Sequence, residues 1–155
     1  MKYTRLPLKD LKDLEKEFVD FLAVNGIPAD EWVKLKENDT QKVEGIIDQF
    51  SDVIWEGVLR KTELVELRRK DILTVCKVVE GELSTLVIKT YDENIDLTQA
   101  DEIAKALANL ENYEVNVRVD PITKLATEQL FELLQIGFYI SKDAQYSELI
   151  DKLKK

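Results

Sequence analysis

Two periods of hydrophobic residues run through this chain, and the switches between them mark out its elements. Between residues 62 and 91 the sequence reads as three short strands, 62–69, 72–79 and 83–91. The second and third are its most apolar stretches, rich in Val, Ile, Leu and Thr, residues that suit a pleated, half-buried surface. Glu80-Gly81 separates them, and a Gly in a two-residue gap between β-type runs signals a hairpin. Residues 113–119 alternate strictly, with Val115, Val117 and Val119 on one face and Asn116 and Arg118 on the other, which predicts a fourth strand.

Helical spacing surrounds these strands. Leu11, Leu14, Phe18, Phe21 and Leu22 form one stripe of a helix that begins near Leu8, after Pro7, and stops at Asn25-Gly26 before Pro28. A short second helix is predicted over about 28–38 with Trp32, Val33 and Leu35 inward, and a third over about 41–60, capped by Asp39-Thr40. The stripe of the third is Val43, Ile46, Ile47, Phe50, Val53, Ile54 and Val58. Thr98 and Asp101 stand in capping-box spacing for a helix over about 98–110. Helices over about 123–136, ended by Gly137, and from Ser141 onward complete the chain.

The order α-α-α-β-β-β-α-β-α-α predicts an α+β domain, an N-terminal three-helix unit packed on a mixed four-stranded sheet. A helix between the third and fourth strands predicts a right-handed parallel crossover there. With 155 residues, no internal repeat and no linker, the expectation is one domain over residues 1–155, large enough for a core without disulfides.

Composition narrows the chemistry more than the fold. Hydrophobic residues make up 45% and charged residues 34%, with a formal net charge of −9. That excess of acid argues against a broad nucleic-acid surface, whose affinity comes from basic residues displacing counterions, and favours basic partners. The chain has no histidine, which excludes Ser-His-Asp and Cys-His machinery and His-based metal sites. The single cysteine, Cys76, lies in the second strand and reads as a small buried hydrophobe. A lone thiol fits a reducing compartment, Met1-Lys2-Tyr3 opens no signal peptide, and no apolar run approaches a membrane span. A cytoplasmic protein without a cofactor is expected.

Several constellations remain. On the third helix Glu44, Asp48, Asp52, Glu56 and Arg60 share one face at four-residue spacing, where each like-charge pair costs about 0.2–0.5 kcal/mol. Two explanations stand: a face that docks a basic segment, or one relieved by Lys and Arg from elsewhere in the fold. Trp55 adjoins it and could supply an apolar contact. Asp48, Asp52, Trp55 and Glu56 are therefore the candidate partner-binding residues. A basic cluster, Arg60, Lys61, Arg68, Arg69 and Lys70, could receive an anion or pair internally. Asp92 to Asp96 resembles half of a calcium loop, but Leu97 and Ile103 stand where that loop wants Gly and Glu. The element order also matches the core of restriction-endonuclease-like nucleases, yet Val87-Ile88-Lys89 lacks the acid of their metal triplet and the second strand offers none. Self-association through the first or last strand, or beside Trp55, is a further expectation.

The N-terminal third resembles a family of uncharacterised small bacterial proteins. The likeness covers residues 1–61 best and rests on Met1-Lys2-Tyr3 with Leu6, on the run from Phe18 to Ala23, on Ile27 with Trp32, and above all on the run from Phe50 to Leu59. It implies a cytoplasmic protein of unknown function and supplies no site. The leading functional expectation is a non-enzymatic interaction protein using the acidic helix face. The alternative is a metal-dependent nuclease or phosphotransferase fold that has lost its site.

Overall fold

The computed structural model describes residues 2–154, and its backbone groups into two units, one ending at Val58 and the other beginning at Leu59. The first unit is helical: α1 (Leu8–Asp13), α2 (Glu15–Val24), α3 (Ala29–Asn38) and α4 (Thr40–Arg60), whose last residues pass the boundary. One predicted helix is thus two, because the chain breaks at Leu14 (φ −103°, ψ 22°). Neither Gly nor Pro marks this break; Leu14 N bonds both Asp10 O at 3.1 Å and Leu11 O at 3.3 Å, the tightened geometry of a helix end. The stop at Gly26 is as expected: it adopts φ 73° while Ile27 N reaches back to Leu22 O at 2.9 Å.

Aromatic rings fill this unit. Phe18 meets Trp32 edge-on at 5.2 Å and Phe50 at 5.0 Å, and Phe21 lies 5.4 Å from Phe50, separations typical of favourable ring pairs. Trp32 is half-buried and packs its ring against Phe18. Three positions expected inward, Val33, Val53 and Val58, are exposed, since each lies at the margin of a stripe that one helix face does not wholly bury.

The second unit holds β1 (Leu64–Arg68), β2 (Ile72–Val79), β3 (Glu82–Lys89), α5 (Ala100–Ala108), a 3-10 turn (Leu110–Asn112), β4 (Glu114–Pro121), α6 (Ala126–Gln135), β5 (Tyr139–Ser141) and α7 (Ala144–Leu153). The α+β class holds, but the sheet has five strands in the order β4-β3-β2-β1-β5, and every pairing is antiparallel. The expected mixed sheet and parallel crossover are not what forms. Lys89, the last residue of β3, pairs with Glu114, the first of β4, so the chain returns to the end of the sheet that it left. α5 is an excursion, too short to carry it back along the strands. β1 is an interior strand between β2 and β5, which removes it as an open edge. Ser141 lies in β5 instead of capping α7; Asp143 caps it, accepting from Gln145 N at 3.0 Å. Thr98 likewise does not cap α5, which starts after Gln99.

Alternation along the strands builds two layers. One face carries Leu64, Leu73, Val75, Leu86 and Ile88 into a core completed by Leu97, Ile103, Ala106, Tyr146 and Ile150. Residues of the opposite parity, Val65, Cys76 and Val78, are buried on the other face, and α6 lies against β1 and β2. Gly81 closes the β2–β3 hairpin at φ 83°, a conformation that favours glycine. Leu86 is fully buried. Leu86→Ala is expected to cost about 2–5 kcal/mol in denaturant unfolding, whereas Ile136→Ala, at a position 71% exposed, stays within about 0.5 kcal/mol.

Candidate functional site

The four acids of α4 face a segment of their own chain. The i, i+4 spacing sets Glu44, Asp48, Asp52 and Glu56 in one row, and residues 2–6 run beside it. Asp52 Oδ2 accepts the Lys2 amide at 2.7 Å and Oδ1 the Tyr3 amide at 2.9 Å. Arg5 Nε donates to Asp48 Oδ1 at 2.7 Å, and its guanidinium also pairs with Glu44. Glu56 accepts from Lys2 Nζ at 3.2 Å and from the Tyr3 hydroxyl. Trp55 Nε1 donates to Thr4 O at 3.0 Å, and buried Ser51 receives the Leu6 amide on Oγ at 3.1 Å. The bonds to Asp48 and then Glu44 raise the Arg5 pKa, and the bond to Glu56 leads the causes that raise that of Lys2.

The like-charge cost read from the sequence is therefore met within the chain. The Arg5 and Lys2 ion pairs are exposed and screened by solvent, so they contribute little, and the backbone bonds to Asp52 carry more of the attachment. All four candidate residues, Asp48, Asp52, Trp55 and Glu56, converge on one extended basic segment. Its presence in the same chain was not legible from helix periodicity, because residues 2–6 belong to no periodic element.

Next to this row lies an apolar groove of about 380 Å³, lined by Leu6, Leu14, Ile54, Trp55 and Val58, with Asp10 and Asp13 on its rim. The break at Leu14 helps to shape it. The carboxylates of Asp10 and Asp13 form no ion pair and no hydrogen bond among the described residues.

The second unit has a buried polar cluster that the sequence did not announce. Glu66, only 3% exposed, accepts on Oε1 from Arg68 Nε at 2.5 Å and from the Tyr139 hydroxyl at 3.2 Å. Tyr139 sits opposite Glu66 in the β1–β5 register, and Tyr146 of α7 is buried nearby. Burial and the Glu66 charge push the Tyr146 hydroxyl up to about 12. Held by these bonds, Glu66 is a paired charge inside the sheet–helix layer. Arg68 of the basic cluster thus pairs internally.

Lys70 and Lys89 line a cleft of about 500 Å³ with Asp71, Asp92 and Glu93. The carboxylates there do not converge: no group of three or more potential ligands suited to a metal ion exists among the described residues. Asp92 Oδ1 instead receives Asn94 N at 2.9 Å, Asp96 receives Thr98, and the Lys89 ammonium lies 5.1 Å over the Tyr91 ring. Bonding to Thr98 holds the Asp96 carboxyl below the usual range. Cys76 is a buried free thiol whose pKa burial raises, the opposite of a nucleophile's environment. No helix is long and apolar enough to cross a membrane among the described residues.

A family of unknown function, DUF6495, matches the chain over residues 1–155, and the chain belongs to it. No curated protein and no solved structure matches the chain.

Two expectations follow from these contacts. Asp52→Ala removes both bonds to the Lys2 and Tyr3 amides and should lower stability by about 1–3 kcal/mol, with faster proteolysis of residues 2–6. An unchanged denaturation midpoint would show the segment unattached. For Tyr146, the folded pKa lies above the unfolded value, so its contribution is intact below about pH 10 and is lost as pH rises towards about 12. Tyr146→Phe should flatten that alkaline loss, read as the stability difference between wild type and variant from pH 9 to 12.

Proposed function

We propose that this chain is a non-catalytic interaction protein whose N-terminal unit receives a basic, apolar-tipped segment of another protein. The groove beside the acidic row of α4 is the receiving surface. The observation that carries this reading is the union of an apolar wall with two uncommitted rim carboxylates, Asp10 and Asp13. An apolar anchor would fill the space between Leu6, Leu14, Ile54 and Val58, and flanking Lys or Arg would meet the rim. Trp55 links the two surfaces, since its indole N–H holds the Thr4 carbonyl while its ring lines the groove.

The same helix supplies a working instance of this recognition. Asp48, Asp52, Glu56 and Trp55 already grip a Lys- and Arg-bearing segment by charge-assisted bonds, and the partner would lie alongside that segment. The net charge of −9 steers a basic partner and speeds encounter most at low salt. A lone buried thiol suits a reducing, cytoplasmic setting.

Fluorescence anisotropy with a labelled Lys-rich helical peptide bearing one central Leu tests the reading. Saturable binding that weakens with salt is expected. Asp10→Asn with Asp13→Asn should weaken it about threefold to tenfold, and Trp55→Ala tenfold or more. Absence of saturable binding, or binding indifferent to these substitutions, would remove the groove as the interaction surface.

A further inference from the structure

Strand β4 ends the sheet, with β3 on one side and no strand on the other among the described residues, and over residues 114–118 exposure alternates, Glu114, Asn116 and Arg118 facing out and Val115 and Val117 half-buried. The hydrogen-bond parity of this edge follows from its neighbours. Thr90 N bonds Asp71 O, so in the alternating antiparallel ladder the even residues of β3 bond β2 and the odd ones bond β4. Register pairs Val87 with Asn116 and Thr85 with Arg118, and Ile122 N bonds Gly81 O in the same phase. The even residues of β4 therefore spend their backbone groups on β3. Those of Val115, Val117 and Val119 point outward, and Pro121, which has no amide to offer, stands in the same outward set.

The side chains of this edge are charged, which ordinarily deters pairing with a foreign strand. Here the charges are arranged to suit a copy of the same strand. A two-fold axis through Asn116 sets Glu114 of each copy opposite Arg118 of the other. It also sets Val115 opposite Val117 twice and leaves Pro121 beyond the paired stretch. The Val115–Val117 pairs then exchange the outward backbone bonds, four in all. Glu114–Arg118 and Asn116–Asn116 become the non-hydrogen-bonded pairs, in which side chains approach most closely. The registers displaced towards Pro121 along the strand fail on charge, an axis through Val117 opposing Glu114 to Asp120 and one through Arg118 opposing arginine to arginine; an axis through Val115 avoids repulsion but forms no Glu114–Arg118 pair. Arg118, 81% exposed along its side chain and paired among the described residues with Asp120 of its own strand, can turn to such a partner, and Glu114 is exposed and bonded to the Tyr91 hydroxyl at 2.5 Å.

We infer that β4 pairs antiparallel with β4 of a second copy of this chain, in the register centred on Asn116. The two sheets then run on as one of ten strands. This surface belongs to the second unit and is independent of the groove on the first.

Light scattering across a concentration series reads the association, and charge exchange reads its register. A dimer is expected for the wild type. Glu114→Arg or Arg118→Glu should each raise the dimer dissociation constant about tenfold, since two attractive pairs become repulsive, and the two changes combined should restore it. Asn116→Cys should cross-link spontaneously into a disulfide dimer under mild oxidation, while Arg118→Cys, four residues out of register with itself, should not. Circular dichroism melts confirm that the variants fold, as these side chains are exposed. A wild-type monomer at the highest soluble concentration overturns the inference. So does a dimer whose dissociation constant ignores both charge reversals, or one that cross-links through position 118 in preference to 116.

Discussion

The pairing of β2 with β3 is the constraint on which the second unit depends. Eight residues of each strand pair in one register, and alternate side chains of β2 are buried on both faces: Leu73 and Val75 on one, Cys76 and Val78 on the other. A slip of one residue would exchange these sets and expose the core. Every other strand is added outward from this hairpin, β1 and β5 on one side and β4 on the other. The helices follow, because each sheet face needs an apolar stripe to cover it. Glu66 enters the same layer only because Arg68 and the Tyr139 hydroxyl meet its carboxylate there; without them a buried charge would be costly.

The first unit solves an electrostatic problem of its own. Four acids in a row on α4 repel one another, and the chain answers with the amides of Lys2 and Tyr3, the ammonium of Lys2 and the guanidinium of Arg5. The acidic face is thus satisfied from within. What it leaves open is the adjoining groove, where apolar walls meet Asp10 and Asp13. Charge and hydrophobic surface are separated on this unit, the acidic row being occupied by residues 2–6 and the groove lined by apolar side chains.

Much of this was legible in the sequence. Strand propensity and the Gly81 turn located β2 and β3, with β2 matching residue for residue; strict alternation located β4; and a clean 3.6-residue stripe located α4, because each signal is local and strong. The α+β class followed from their order. The absence of histidine and the single Cys76 narrow the chemistry by composition alone.

Tertiary structure decided the rest, for reasons that no local pattern carries. Strand direction depends on where a connection returns, and α5 brings the chain back to the end of β3 that it left, which makes β4 antiparallel. β5 is three residues long, too short for a period to register, and it exists because β1 offers an edge. Glu66 is buried because β1 is interior, between β2 and β5. The partners of Asp48, Asp52 and Glu56 lie about fifty residues earlier in the chain, in a segment without periodicity. Sequence reported the cost of gathering those charges; only the fold, by bringing distant backbone amides and cations against them, determined how that cost is met.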